Sequence, residues 1–265
     1  MLNGKVGIVT GGSRGLGLQL VESLLAQGAR VAALARPSAD LDALAARENA
    51  NLAAIPCDIR DSAQVDAAVA AVIQRFGRLD FLINNAAIFH PFKLEDSTPE
   101  QVQLHVGINL LGPIWCIRAA IPHLRATRGQ ILSISSESVR MPFPYLSLYA
   151  ATKGGLEVLS AALREELRED GIRVTLLRSG SISGSTGNKD WDPAVAEKFF
   201  ATIVRTGHAA FTGDFATPES MAKAVISVLN LPSDVNVDFL EVRAAKAAGP
   251  DSLAKVIPPA TSPPA

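Results

Sequence analysis

Short runs of apolar and β-branched residues recur along the chain at 6–10, 30–34, 52–55, 79–84, 130–135, 174–178 and 237–242, and they read as seven strands. Between them lie helical patterns at roughly 15–28, 39–48, 62–76, 98–125, 149–170 and 218–231. Strands alternating with helices imply parallel crossover units of one hand, and hence a doubly wound α/β sheet with helices on both faces. In such a sheet ligands sit beyond the carboxyl ends of the strands. The residues just after each strand, Thr10 to Gly17, Arg36, Asp58, Asn85, Ser136 and Ser179 to Ile182, are therefore the candidates for chemistry.

The first of these stretches, TGGSRGLG at 10–17, follows an apolar strand and opens a helix. Glycine permits a tight turn and close approach to a ligand, and a helix beginning near Gly15 offers unpaired N–H groups and a positive dipole end to a pyrophosphate. About 20 residues further on, a carboxylate on a ribose hydroxyl would mark NAD. The chain instead reads LAR at 34–36, so Arg36, with Arg14 inside the glycine turn, is placed to pair with a 2′-phosphate. NADP is thus preferred over NAD. Asp58 is placed to accept from an adenine amino group, while Asp61 or Ser62 better suits the cap of the following helix.

In YAATK, at 149–153, the four-residue spacing points Tyr149 and Lys153 at one spot on a helix. A neighbouring ammonium favours the phenolate, and bringing a phenol from about 10 to about 7 needs roughly 4 kcal/mol of differential stabilisation.

Composition narrows the partner. The 265 residues include 25 basic and 26 acidic side chains and are 48% hydrophobic, which points away from nucleic acid and anionic membrane and toward a small molecule. One large domain, over 1–245, accommodates the pattern, followed by a proline-rich tail over 246–265. Cys57 and Cys116 lack metal-ligand spacing and suit buried packing in a reducing cytoplasm, and the four histidines show no ligand spacing, so no metal is expected. With no apolar run of about 18 residues, a soluble chain is expected. The stretch 183–211, with glycines around a helical segment carrying Trp191, Phe199 and Phe200, suits a mobile apolar lid beside which only His208 stands out among the histidines.

TGGSRGLG, INNAA at 83–87, Asn109, ISS at 134–136 and YAATK, in this order and with thirteen residues from Ser136 to Tyr149, resemble the short-chain dehydrogenase/reductase family from residue 4 to about 243. The resemblance implies a Rossmann fold and a catalytic tetrad of Asn109, Ser136, Tyr149 and Lys153. Tyr149 would be the general acid or base on the carbonyl or alcohol oxygen, and Ser136 would hydrogen-bond that oxygen. Lys153 would lower the tyrosine pKa and hold the nicotinamide ribose, and Asn109 would position a water linking the lysine to solvent. It also implies cofactor contacts from Gly11, Ser13, Arg14, Gly15, Leu16 and Gly17 at the phosphates, Asp58 and Ile59 near adenine, Asn85 by its backbone, and Ile182 near the carboxamide. A homotetramer or homodimer follows from the same resemblance.

Three departures stand out: Ala87 replaces the usual glycine, Ser179-Gly180 replaces a proline-glycine pair, and the last strand ends VNVDFLEVR instead of aspartate-glycine-glycine. The third weakens any analogy to fatty-acid synthesis enzymes. After Ser136, the segment ESVRMPFPYLSL offers Met141, Phe143 and Tyr145 as one wall of an apolar pocket facing Trp191 and Phe199. Glu137 and Arg140 are expected to pair with each other or face solvent. The sequence thus points to an NADP-dependent oxidoreductase that interconverts a hydrophobic secondary alcohol and a ketone. Its alternatives are an imine or C=C reductase on the same scaffold, or a non-catalytic NADP-sensing protein.

Overall fold

The computed structural model describes residues 2–184, 187–188 and 190–246. Among these, β1 (Val6–Thr10), β2 (Arg30–Ala35), β3 (Leu52–Pro56), β4 (Phe81–Asn84), β5 (Gln130–Ser136), β6 (Arg173–Ser179) and β7 (Phe239–Val242) form one parallel sheet in the order β3-β2-β1-β4-β5-β6-β7. The order reverses at β1, which pairs with β2 on one side and β4 on the other. A crevice opens at such a reversal, beyond the carboxyl ends of the strands.

Neighbouring residues of each central strand feed opposite cores. Ile8, Leu82 and Ile131 pack under Val65, Val69 and Val72 of α3 (Ser62–Phe76) and under Ile117, Ala120 and Leu124 of α5 (Gly112–Thr127). Val9, Ile83 and Leu132 pack under Leu20, Val21 and Leu24 of α1 (Gly15–Ala26) and under Met221 and Val225 of α9 (Pro218–Leu229). Burial on both faces is why these strands read as continuous apolar runs without alternation. The remaining helices are α2 (Ala39–Ala45), α4 (Pro99–Val106), α6 (Ser147–Glu166), α7 (Pro193–Arg205) and α8 (His208–Thr212).

Helix boundaries follow local chemistry. Asp61 caps α3 by accepting from the N–H groups of Ala63 and Gln64, and Gly77 ends it at φ 78°, in the left-handed region. Thr98 and Gln101 close a reciprocal capping box at the start of α4. The 98–125 pattern does not form a single α-helix. A π turn at Gly107–Leu111 separates α4 from α5, and it carries Asn109, which is fully buried. The whole run Pro99–Thr127 is long and apolar enough to cross a membrane, yet half of its most apolar window is buried inside the fold.

Candidate active site

A cleft of about 810 Å³ runs from the glycine turn after β1, past the ends of β4 and β5, to α7 and α8. Its nucleotide end is built largely from backbone. Gly11 N–H and Gly12 N–H both donate to the Leu34 carbonyl, at 2.7 and 3.3 Å, folding the turn over the end of β2. Gly11 has φ 65° and Gly15 φ 55°, conformations that L side chains rarely adopt. A Cβ on Gly17 would stand 1.9 Å from the Gly11 carbonyl oxygen, so only glycine lets α1 start this close to the turn.

Arg14, in the cap position of α1, has an extended backbone and supplies no side-chain cap, and the first turn holds no acidic residue. The leading N–H groups of α1 therefore keep their capacity for an anion. Thr10 ties this turn to the next strand: its buried hydroxyl accepts from the N–H groups of Asn85 and Ala86 at 3.0 and 3.1 Å. The Asn85 amide donates to the Thr10 carbonyl at 2.9 Å. With its N–H committed to Thr10, the Asn85 backbone offers a ligand its carbonyl.

Gly11, Ser13, Arg14, Gly15, Leu16, Gly17, Arg36, Asp58, Ile59, Asn85, Tyr149, Lys153 and Ile182 all line the cleft. Arg14 and Arg36 are exposed at its mouth. Asp58 has a partner the sequence reading did not foresee: its carboxylate receives Arg60 Nε at 3.0 Å and the Arg60 backbone N–H at 3.0 Å. Hydrogen bonding from Arg60, helped by the nearby charge of Arg36, holds the Asp58 carboxyl below its ordinary value. Uncapped N–H groups, a glycine cradle and two arginines at the mouth together fit a dinucleotide with a pyrophosphate and a further phosphate.

At the middle of the cleft, β5 delivers Ser136 and α6 delivers Tyr149 and Lys153. The Ser136 hydroxyl accepts from the Ser138 N–H at 3.2 Å, which leaves its own proton free to donate. Lys153 is buried and donates to the Ile134 carbonyl of β5 at 2.7 Å, with Nζ 5.9 Å from the Tyr149 ring centroid. Burial depresses the Lys153 pKa to about 8. Tyr149 moves the opposite way from the expectation: burial pushes it up to about 12, the Glu137 charge adds to that, and the Ser136 hydroxyl pulls it down. The physical reason is that desolvation disfavours both charged forms, and the lysine is tethered to β5 rather than to the phenol.

The Asn109 side chain donates to the Ile88 carbonyl at 2.8 Å and accepts from the Ile88 N–H at 2.9 Å. It also donates to Thr152 Oγ1 at 3.3 Å, and Thr152 in turn donates to the Tyr149 carbonyl at 2.7 Å. These bonds engage the amide with the loop after β4 and with the second turn of α6, so its side chain braces the site from behind.

The substrate end is aromatic. Phe143, Leu146, Ala196, Phe199, Phe200, Ile203 and Ala209 form a separate apolar cluster, with Phe89, Tyr149 and Trp191 packed against it. Phe89 lies 5.9 Å from Tyr149 and 5.4 Å from Trp191 between ring centroids. Ser136, Phe143, Trp191 and Phe199 line the cleft, but Met141 and Tyr145 do not. After Ser136 the chain coils, with the Arg140 and Met141 N–H groups both donating to the Glu137 carbonyl, and this carries Met141 off the wall. Tyr145 adopts φ 67° and meets Phe199 edge-on from outside the cleft.

Phe89 is a lining residue that the sequence reading missed, although it follows INNAA by two positions, and Phe200, expected on the lid, also lines the cleft. Glu137 and Arg140 do not pair with each other: Glu137 is buried against Arg243, and Arg140 meets Glu241 at 3.2 Å. His208 stands outside the lining, bridging Thr206 and the Pro142 carbonyl at 2.7 and 3.1 Å.

Comparison with known proteins agrees with this geometry. The family model described as short chain dehydrogenase matches residues 5–195. L-fucose dehydrogenase of Mus musculus is 35% identical over 84% of this chain and 81% of its own length. Among solved structures, a 3-ketoacyl-(acyl-carrier-protein) reductase from Brucella melitensis complexed with NADH is 30% identical. It superposes with a TM-score of 0.79 over 91% of this chain and 98% of that one. The closed form of a serine dehydrogenase complexed with NADP+ is 26% identical with the same TM-score, over 90% of this chain and 94% of that one. The glycine turn, the crevice at the strand reversal and the Ser136–Tyr149–Lys153 grouping thus meet a match over most of the sequence, and the chain belongs to the short-chain dehydrogenase/reductase family of oxidoreductases.

Proposed function

We propose that this protein is an NADP-dependent oxidoreductase that interconverts a hydrophobic secondary alcohol and the corresponding ketone. The observation that carries the reading is the meeting of Tyr149, Ser136 and Lys153 in one cleft, with a polar nucleotide end on one side and an aromatic wall on the other. Bound NADP(H) would supply or accept the hydride. Gly11, Ser13, Gly15, Leu16 and Gly17 would hold its phosphates and Arg14 and Arg36 its 2′-phosphate, with Asp58 and Ile59 beside the adenine and Ile182 at the carboxamide end.

In the reducing direction the Tyr149 hydroxyl donates its proton to the carbonyl oxygen, and the Ser136 hydroxyl donates a hydrogen bond to the same atom. In the oxidising direction the phenolate takes the alcohol proton. Lys153, protonated below about pH 8, places a cation one helical turn from Tyr149, with its Nζ held on the Ile134 carbonyl. Asn109 holds Ile88 and Thr152 fixed behind them and would position a water linking Lys153 to solvent. The chain is read as cytoplasmic and as a homodimer or homotetramer, which size-exclusion chromatography with light scattering would test.

The experiment is consumption of NADPH and of NADH with a panel of hydrophobic ketones, and the reverse reaction with the alcohols. Tyr149→Phe is expected to lower kcat by about 10²–10⁴ while leaving NADPH affinity within a few-fold. Turnover that survives this substitution would remove the acid–base assignment.

A further inference from the structure

One buried charge beside the reacting groups is not used by the proposed chemistry. Glu137 directly follows Ser136, lines the cleft and is 4% exposed. Its Oε2 accepts from Arg243 Nε at 3.1 Å. Its Oε1 accepts from the Thr212 hydroxyl and, at 3.5 Å, from the Ser181 hydroxyl. The Ser181 and Thr212 oxygens are themselves 3.0 Å apart. Arg243 also donates to the Phe211 carbonyl and lays its guanidinium 4.2 Å from the centroid of the Phe211 ring.

These partners arrive from separate elements: Ser181 just after β6, Arg243 just after β7, and Thr212 at the end of α8. The chain that carries α7 and α8 leaves and rejoins the sheet at a single parallel bridge, Ile182 to Ala216. The Ser183 N–H donates to the Ala216 carbonyl at 2.9 Å, and the Ala216 N–H to the Ser181 carbonyl at 3.0 Å. Beside this stem, the aromatic cluster and the His208 contact with the Pro142 carbonyl, the Glu137 carboxylate ties the end of α8 to the end of β5. Both carboxylate oxygens are already accepting from protein donors, which argues against a direct role in recognising substrate.

We propose that Glu137 is a positioning residue: its carboxylate clamps α8, and through the shared apolar cluster α7, to the strand end that carries Ser136, so that the aromatic wall keeps one fixed distance from the reacting hydroxyls. The inference rests on the reading of Ser136 and Tyr149 as the reacting groups. Removing the buried carboxylate leaves the partly buried Arg243 and the Thr212 hydroxyl without their shared partner, so the clamp is expected to open as a unit.

Trp115 and Trp191 are the tryptophans of the chain, so a Trp115→Phe background leaves Trp191, on the aromatic wall, as sole emitter. In that background Glu137→Gln, and separately the isosteric Thr212→Val, are expected to raise acrylamide quenching of Trp191 about threefold. For a ketone turned over by the parent protein, both are expected to raise KM by about fivefold or more while kcat stays within about twofold. The double variant is expected to be no worse than Glu137→Gln alone, because both act on one clamp. Unchanged quenching and KM in both single variants would overturn the proposal. Quenching requires no turnover, so the two readings fail separately. If Tyr149→Phe kept its activity, the acid–base reading would fall while the quenching signature of the clamp persisted.

Discussion

The two ends of the cleft are held by different kinds of force. At the nucleotide end the contacts run mainly through the backbone: the Gly11 and Gly12 N–H groups on the Leu34 carbonyl, and the Asn85 and Ala86 N–H groups on the buried Thr10 hydroxyl, all at the ends of strands with neighbours on both sides. At the substrate end the wall is a set of rings, Phe199 and Phe200 on α7 with Phe89, Phe143 and Trp191 beside them, and its helices join the sheet through the Ile182–Ala216 bridge, the apolar cluster and polar contacts that include the Glu137 carboxylate. A surface made of main chain is specified by where glycine is allowed and changes little with side-chain identity. A surface made of rings changes with every substitution. The contrast explains why cofactor use is a family property, whereas relatives on one fold carry names as different as L-fucose dehydrogenase and 3-ketoacyl-(acyl-carrier-protein) reductase.

Four substitutions would break or sharpen this contrast. The largest effect is expected from Phe199→Ala, which removes a ring that is 5% exposed, at a cost of about 3–5 kcal/mol for a buried phenylalanine. The loss is expected to fall on α7 and α8 alone. Hydrogen exchange should therefore quicken there and substrate KM rise, with cofactor Kd unchanged; uniform destabilisation of the sheet would erase the distinction between the ends.

Next is Lys153→Met, at the junction. The Lys153 pKa is lowered to about 8 in the folded chain, against about 10.5 unfolded. The penalty for burying its charge is fully present below pH 8 and vanishes as pH rises through 10.5, because in that window the unfolded chain binds more protons. The parent protein is thus expected to gain stability relative to Lys153→Met by about 3 kcal/mol between those pH values. Urea unfolding across the window measures it, and a flat difference would mean the lysine is not buried as a cation.

Gly17→Ala tests the opposite end. A Cβ 1.9 Å from a backbone oxygen must displace main chain, and overpacking of this kind costs about 2 kcal/mol. NADPH Kd is expected to rise with substrate KM at saturating cofactor unchanged, the reverse of Phe199→Ala. The smallest effect is expected from Arg36→Ala, which should weaken NADPH about tenfold and NADH hardly at all. Equal weakening of both cofactors would take Arg36 off the 2′-phosphate.

How much of this was legible in the sequence follows from the same contrast. The central strands were readable because burial on both faces makes them apolar nearly throughout, and the glycine turn because its residues are consecutive. The π turn was hidden, since an insertion of this kind leaves the apolar pattern over 98–125 almost continuous. Met141 and Tyr145 were misplaced because the coil after Ser136 is decided by hydrogen bonds to one carbonyl, not by side-chain type. The Glu137–Arg243 pair spans 106 positions, and no local pattern announces such a partner. The direction of the Tyr149 shift was misjudged because spacing on a helix records proximity to Lys153 but not the desolvation of both groups.

The π turn at Gly107–Leu111 carries a further consequence, for the tolerance of this chain to insertion and deletion. Each residue of an α-helix advances the azimuth by about 100°, and the wide turn takes up one extra residue, so winding the same residues into an ordinary α-helix would rotate all of α5 by roughly that angle about its axis. Cys116, Ile117, Ala120 and Leu124 would swing away from the sheet together, and Asn109 away from Ile88. The wide turn therefore acts as a phase lock between the amide that braces the site and the apolar face that holds the helix down. A single-residue deletion inside the turn would be taken up by a return to ordinary winding, whereas the same deletion elsewhere along α5 would rotate everything beyond it.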